Sequence, residues 1–143
     1  MKVVVDSNVV VSALITRGVA FEVFKANSML LKYEFYAPDY MIFEIMNHRD
    51  EIMSDAQIPE NSFTDALGFL FNEMSVIPKE EFKEHMPKAL EVLSGHEKDA
   101  PYLALSLKLD CLIFSGDKKF QRLCPEKVKT PRQLLDDLLP KKE

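Results

Sequence analysis

Four acidic residues of this chain, Asp6, Glu44, Asp99 and Asp117, fall where a strand end, the body of a helix, a helix start and a second strand end are expected, so they can converge although far apart in sequence. Asp6 opens Asp6-Ser7-Asn8 directly after the apolar run Val3-Val4-Val5, and Asp117 closes Ser115-Gly116-Asp117 directly after Cys111-Leu112-Ile113-Phe114. In an open parallel α/β sheet, ligands bind outside the carboxyl ends of the strands, where the strand order reverses. Carboxylates gathered there repel one another, and a cation is what joins them. Each acid alone has a plainer role. Aspartate is a preferred helix N-cap, which suits Asp6 and Asp117. A carboxylate just before or within a first helical turn is favoured in any helix, which suits Asp99, two residues ahead of Pro101. Glu44 shares a helical column with Tyr40 and His48 and fits a solvated face.

The elements that must position these acids alternate in type. Lys2–Val5 reads as a buried strand, because a continuous β-branched run bounded by a turn signal suits a central parallel strand. Residues 8–15 are helix-compatible, Arg17-Gly18 breaks them, and Phe21 to Leu31 give a second amphipathic stretch. A strand over 33–37 follows. Pro38 stands at the N-terminus of a helix over 40–53, and Pro59 precedes a helix over 63–74. Val76-Ile77 reads as a very short strand, and residues 80–93 as a helix interrupted by Pro87. Leu103, Leu105, Leu107 and Leu109 alternate with smaller or polar residues, a strand-like period of two. Helix is nevertheless expected, because leucine and alanine are strong helix formers and parallel strands need a helical crossover. Cys111 to Phe114 is then a strand, with Cys111 buried in it, that delivers Asp117. Lys127-Val128-Lys129 is a candidate edge strand, and Thr130-Pro131-Arg132-Gln133 has the form of a capping box opening the last helix.

A chain of 143 residues with 47% hydrophobic residues can bury a substantial core, and one domain spanning 1–143 is expected. The predicted fold class is α/β: a three-layer α/β/α sandwich around a mainly parallel sheet of about four to five strands. No apolar run approaches the roughly 20 residues of a membrane span and no signal peptide is evident, so no membrane partner and a cytoplasmic location are expected. Two cysteines without CxxC spacing argue against a disulfide or a zinc site. The net charge of −5 does not suit a protein that coats nucleic acid non-specifically. Between Asp117 and Arg132, however, six basic residues face two acidic ones, a local charge of +4. That basic segment is either a solvated surface or a phosphate-contacting rim, with Lys118, Lys119 and Arg122 the candidate nucleic-acid contacts.

The stretch from Val3 to Leu14, with Asp6-Ser7-Asn8 after a hydrophobic strand, resembles the opening of PIN domains. Ala37-Pro38-Asp39-Tyr40 running to Glu44 is similar to that family's next helix. Asp99 to Ala104 with Leu105 and Leu107 resembles the helix bearing the third acid. Ile113 to Asp117 looks like the strand and turn that carry the fourth. Ser115 stands where threonine is commoner in the family, and Ser106 falls at a position often small and apolar.

The resemblance implies a divalent-metal-dependent nuclease that hydrolyses phosphodiester bonds, with single-stranded or structured RNA the preferred substrate, and in many relatives the toxin of a toxin–antitoxin pair. One or two Mg²⁺ or Mn²⁺ ions held by oxygen ligands would activate water and neutralise transition-state charge. Within that reading Asp6 and Asp117 are the principal metal ligands, Asp99 supports them directly or through water, and Glu44 ligates or orients the attacking water. Asn8 and Ser115 fix carboxylate rotamers or coordinated waters. Glu97 and Asp110 are nearby acids without an assigned role, and none of His48, His85 and His96 is singled out. A protein antitoxin and a homodimer are further candidate partners, with Phe21, Phe24 and residues 63–71 either a partner surface or core. The alternative is a catalytically silent PIN-like domain that binds RNA or protein. Aspartyl-phosphate chemistry in a dehalogenase- or receiver-like fold is disfavoured, because Asp6-Ser7-Asn8 lacks a second aspartate.

Overall fold

The computed structural model describes residues 1–139. Five strands, β1 (Lys2–Val5), β2 (Glu34–Pro38), β3 (Met74–Ile77), β4 (Leu112–Phe114) and β5 (Val128–Lys129), form one sheet in the order β3-β2-β1-β4-β5. Every pairing is parallel. The order steps outward from β1 through β2 to β3, then returns across the sheet to β4 and β5. The reversal therefore falls between β1 and β4, whose carboxyl ends deliver Asp6 and Ser115 to Asp117.

The central strand is apolar on both faces because both faces are covered. Val3, Val4 and Val5 are fully buried. The register pairs Val3 with Phe35 and Val5 with Phe114, which sets these side chains on one face. There Phe24 of α2 (Val19–Leu30) closes on both phenylalanines, at ring distances of 5.2 and 5.8 Å. Edge and tilted aromatic contacts of this kind add to the area they bury. On the other face α7 (Ala100–Leu109) packs against β1, β2 and β4. The final helix α9 (Pro131–Leu138) packs on α2, so each face of the sheet carries its own helical layer.

The alternating leucines do form a helix. Every residue of α7 from Ala100 to Ser106 is buried, so the helix has no polar stripe to reveal its period. Ser106 is satisfied inside this apolar surround: its hydroxyl donates to the Cys111 carbonyl at 2.6 Å and accepts from Lys127 Nζ at 3.0 Å. The capping box also forms, with Thr130 and Gln133 exchanging side-chain and backbone hydrogen bonds of 2.9 and 3.2 Å.

Four local expectations need correction. The helix expected over 40–53 is two helices, α3 (Tyr40–Asn47) and α4 (Arg49–Ala56), divided at His48, whose ψ of 14° leaves the helical region. Pro38 is the last residue of β2 and not a helix start, because its missing N–H suits a strand end equally well. Pro87 does not interrupt a helix. It lies in the first turn of α6 (Met86–Val92), where no N–H is needed, and two 3₁₀ turns over Lys79–Glu81 and Lys83–His85 precede it. Cys111 precedes β4 and is only partly buried.

Candidate active site

Asp6 sits at the reversal point of the sheet. Its N–H donates to the Phe114 carbonyl at 2.9 Å, which fastens the end of β1 to β4. It occupies the N-cap position of α1 (Ser7–Thr16), but its carboxylate caps nothing. Instead Oδ2 accepts the Ser115 hydroxyl at 2.8 Å. With 4% of its surface exposed, Asp6 is one of few buried polar residues. Burial pushes its pKa up to about 7; the Ser115 hydrogen bond opposes this, and the negative charges of Asp99, Glu44 and Asp117 reinforce it. The four acids named from the sequence therefore share one electrostatic environment, centred on Asp6.

Ser115 ties the two strand ends together. Besides donating to Asp6, its oxygen accepts the Asp117 N–H at 3.1 Å. Asn8 adds a longer clasp, its Oδ1 accepting the Gly116 N–H at 3.4 Å. Asp117 does act as a helix cap: Oδ1 accepts the Lys119 N–H at 2.9 Å at the start of α8 (Lys118–Leu123). Asp117 also lines a cleft beside these acids.

Glu44 departs from the solvated face expected of it. It is half-buried, Oε1 accepts the Tyr102 hydroxyl, and Ser7 adds a second hydrogen bond. Burial raises its pKa, with these two hydrogen bonds acting in the opposite direction. The Tyr102 phenol is in turn pushed up, first by burial and then by the Glu44 charge. Asp99 occupies the N-cap position of α7 without making a cap bond. Burial raises its pKa too, although Lys119, whose ammonium is 3.8 Å from Oδ2, pulls the other way.

Two of the acids, Asp99 and Asp117, line a cleft of about 400 Å³ together with His96, Glu97, Lys98 and Lys119. Lys119 Nζ also approaches His96 Nδ1 at 3.4 Å. Lys118 and Arg122 lie one helical turn apart on exposed surface, outside the residues lining this cleft. Glu97 stands at the rim of the cleft, while Asp110 ends α7 at the opposite, amino end of β4. The donor set is all oxygen and carries several negative charges, the chemistry that suits a hard divalent cation. Among the described residues, however, no three His, Cys, Asp or Glu side chains already stand in metal-ligand geometry. Each acid is held by groups of the protein itself: Asp6 by Ser115, Glu44 by Tyr102, Asp99 by Lys119 and Asp117 by the Lys119 amide. The residues fit such an ion in donor type, and Asp6 feels the charges of the other three acids.

The PIN domain family matches residues 4–136. The chain belongs to that family. A chain in the crystal structure of VapBC2 from Rickettsia felis, bound to a DNA fragment from their promoter, superposes with a TM-score of 0.64 at 12% sequence identity. The match covers 91% of this chain and 98% of that one, and at such low identity it speaks for the PIN fold alone. No curated protein matches the sequence. Membership of the PIN family sets aside the dehalogenase- and receiver-like readings.

Within this PIN domain, sequence reasoning passed over Tyr102, Ser7, His96 and Lys98. Tyr102 had a signal: it lies three residues after Asp99, hence on the same side of one helix. His96 and Lys98 lie in the turn before α7 and had none. The apolar residues offered as a partner surface are mostly core, since Phe24 and Phe63 are buried. Exposed apolar residues lie elsewhere, on α3 at Ile42, Phe43 and Met46 and at the end of α2 at Met29, Leu30 and Leu31. Among the described residues no helix is long and apolar enough to cross a membrane.

Proposed function

We propose that this PIN domain is a divalent-metal-dependent nuclease that hydrolyses phosphodiester bonds in single-stranded or structured RNA, and that it is the toxin partner of a protein antitoxin. The observation that carries the reading is Asp6: a buried carboxylate whose pKa is raised to about 7 and whose near neighbours are three further acids and no cation of its own. A fold maintains such an arrangement at a cost to its stability, and binding a divalent cation offsets that cost.

Asp6 and Asp117 are assigned as the principal metal ligands, with Asp99 in support and one or two Mg²⁺ or Mn²⁺ ions as the cofactor. When bound, the metal lowers the pKa of water and neutralises charge on the phosphoryl oxygens. The protein's own groups do the rest. Ser115 fixes the rotamer of Asp6 and the amide of Asp117 with one hydroxyl. Tyr102 holds Glu44 at Oε1, and the carboxylate so placed orients the attacking water and accepts its proton. Burial has already raised the basicity of Glu44 in that role. As the water oxygen bonds to phosphorus and the bond to the leaving oxygen breaks, that oxygen takes up a proton from solvent, and the Lys119 ammonium beside Asp99 is within reach of the phosphate's charge. An antitoxin partner is supported by the fold it shares with a chain from a VapBC2 complex.

A second reading, a silent PIN-like module that binds RNA or protein, draws on the absence of ready-made metal-ligand geometry among the described residues. One assay separates the two. Mixed RNA and DNA oligonucleotides are incubated with wild-type protein in Mn²⁺, in EDTA, and with Asp117→Asn. The nuclease reading expects cutting of RNA in the first condition alone; equal inactivity in all three favours the silent module.

A further inference from the structure

On the β2–β3 side lies a second cavity of about 360 Å³, within the roughly 300–1,000 Å³ of small-molecule sites. It sits beyond the carboxyl ends of these strands, since Asp39 follows Pro38 and Lys79 comes two residues after Ile77. Its walls are of two kinds. Tyr40, Phe82 and Pro101 supply flat or apolar surface, and the Tyr40 ring is braced by Phe43 at 6.0 Å. Asp39 and Glu97 bring carboxylates, and Lys79 and Lys98 bring ammonium groups. Asp39 is firmly placed: its N–H donates to the Ile77 carbonyl at 3.0 Å, and Oδ2 accepts the Lys79 N–H at 3.2 Å, leaving Oδ1 for a ligand.

This cavity shares part of its wall with the cleft at Asp99 and Asp117. Glu97 and Lys98 line both spaces, and Tyr40, one helical turn ahead of Glu44, lies close enough for that carboxylate to raise its pKa. A phosphate is poorly matched to a wall holding two carboxylates, and an aliphatic group to one holding four charges. A planar heteroaromatic ring with donors and acceptors along one edge satisfies both kinds of wall.

We propose that this cavity receives one unpaired nucleobase beside the phosphodiester bond cut at the acids, so that the protein selects the base at that position. Base binding stands on the cavity itself; its place beside a scissile bond rests on the nuclease reading. Guanine fits best, because its pairing edge sets the O6 acceptor next to two N–H donors, which one lysine ammonium and one carboxylate meet together. The strand must be single there, because a stacked and paired base cannot present that edge.

The test uses eight-nucleotide RNAs, uridine throughout except for one variable central base, binding to full-length Asp6→Asn protein and followed by fluorescence anisotropy. The guanine-containing RNA is expected to bind about tenfold or more tightly than the all-uridine one. Added Asp39→Asn or Lys79→Met is expected to erase that preference, so that the guanine-containing RNA binds no more tightly than the all-uridine one. A preference for another base that these variants erase supports the pocket and replaces guanine. Equal affinity for every base, or a preference unchanged in both variants, overturns it. Mapping of cut sites by wild-type protein in Mn²⁺ separates the two claims. Base-selective binding without cutting in any metal sinks the nuclease and keeps the pocket; metal- and Asp117-dependent cutting with no bias beside the cut sinks the pocket and keeps the nuclease.

Discussion

Asp6 and Asp137 are both tied into this fold by hydrogen bonds, yet their surroundings are opposite. Asp137 on α9 accepts Lys129 Nζ at 3.0 Å and the Tyr33 hydroxyl at 3.3 Å, while Lys32 Nζ donates to its backbone carbonyl at 2.9 Å. The Lys129 hydrogen bond holds its carboxyl below the usual carboxylate range. Asp6 is more deeply buried, has one hydroxyl for a partner, and is ringed by like charges that hold its carboxyl above that range. Where the fold needs a carboxylate for structure, it supplies cations from its own chain. At the reversal point of the sheet it gathers more carboxylates around Asp6, and the nearest ammonium, Lys119, pairs with Asp99.

That contrast can be broken at graded strengths. The largest effect is expected on chemistry: Asp6→Asn or Asp117→Asn should cut RNA cleavage in Mn²⁺ by about a thousandfold or more, the equivalent of several kcal/mol of lost transition-state stabilisation. Survival of activity in both variants would remove these acids from the mechanism. Next comes stability in EDTA. Because the folded pKa of Asp6 is raised from 3.8 to about 7, its protonated form stabilises the fold fully below the ordinary value. That contribution is lost as pH rises through about 7, and it amounts to roughly 3–4 kcal/mol. Urea unfolding of the metal-free protein should therefore show wild type weakening between pH 5 and 8, with Asp6→Asn the more stable at pH 8. Saturating Mg²⁺ or Mn²⁺ should raise the wild-type thermal midpoint and leave that of Asp6→Asn nearly unmoved; an unmoved wild type would contradict a clustered-acid site.

Ser115→Ala is the intermediate case. It frees both Asp6 and the Asp117 amide, and the expected loss is about 10–100-fold in activity or metal affinity, read as a shifted Mn²⁺ dependence of the cleavage rate. Smallest is the control on the other carboxylate. Asp137→Asn removes a half-exposed ion pair worth about 1 kcal/mol or less, should leave cleavage unchanged, and should weaken the fold at pH 8 without the pH trend of Asp6. A large effect there, or none on going from pH 5 to 8 in wild type, would erase the contrast.

The fold was legible where sequence and burial agree. Val3-Val4-Val5 could only be a strand covered on both faces, and the Thr130-Pro131-Arg132-Gln133 box announced α9 through local chemistry. The division at His48 was not legible: Met41, Ile45 and Ile52 keep helical spacing straight through it, and no proline or glycine marks it. In the site, strand-end placement and order singled out the four acids, because topology turns a strand end into a ligand-facing position. What they touch was less readable. The hydroxyl of Tyr102 meets Glu44 across 58 residues of chain, a contact made by the packing of α7 against the sheet and not by anything near Glu44 in sequence. The second cavity was invisible for the same reason, since it gathers Asp39, Lys79 and Glu97 from three separate connections.

The parallel pairing of β1 with β4 also governs when the protein becomes competent. The Ser115–Asp6 hydrogen bond joins residues 109 positions apart, and β1 gains its second neighbour only once Leu112–Phe114 is available. A chain emerging from the ribosome can pair β1 with β2 early, but its acids stay scattered until nearly the whole sequence has been made. Truncated or stalled products consequently lack the centre altogether, so synthesis of the chain is separated in time from the assembly of its acidic site.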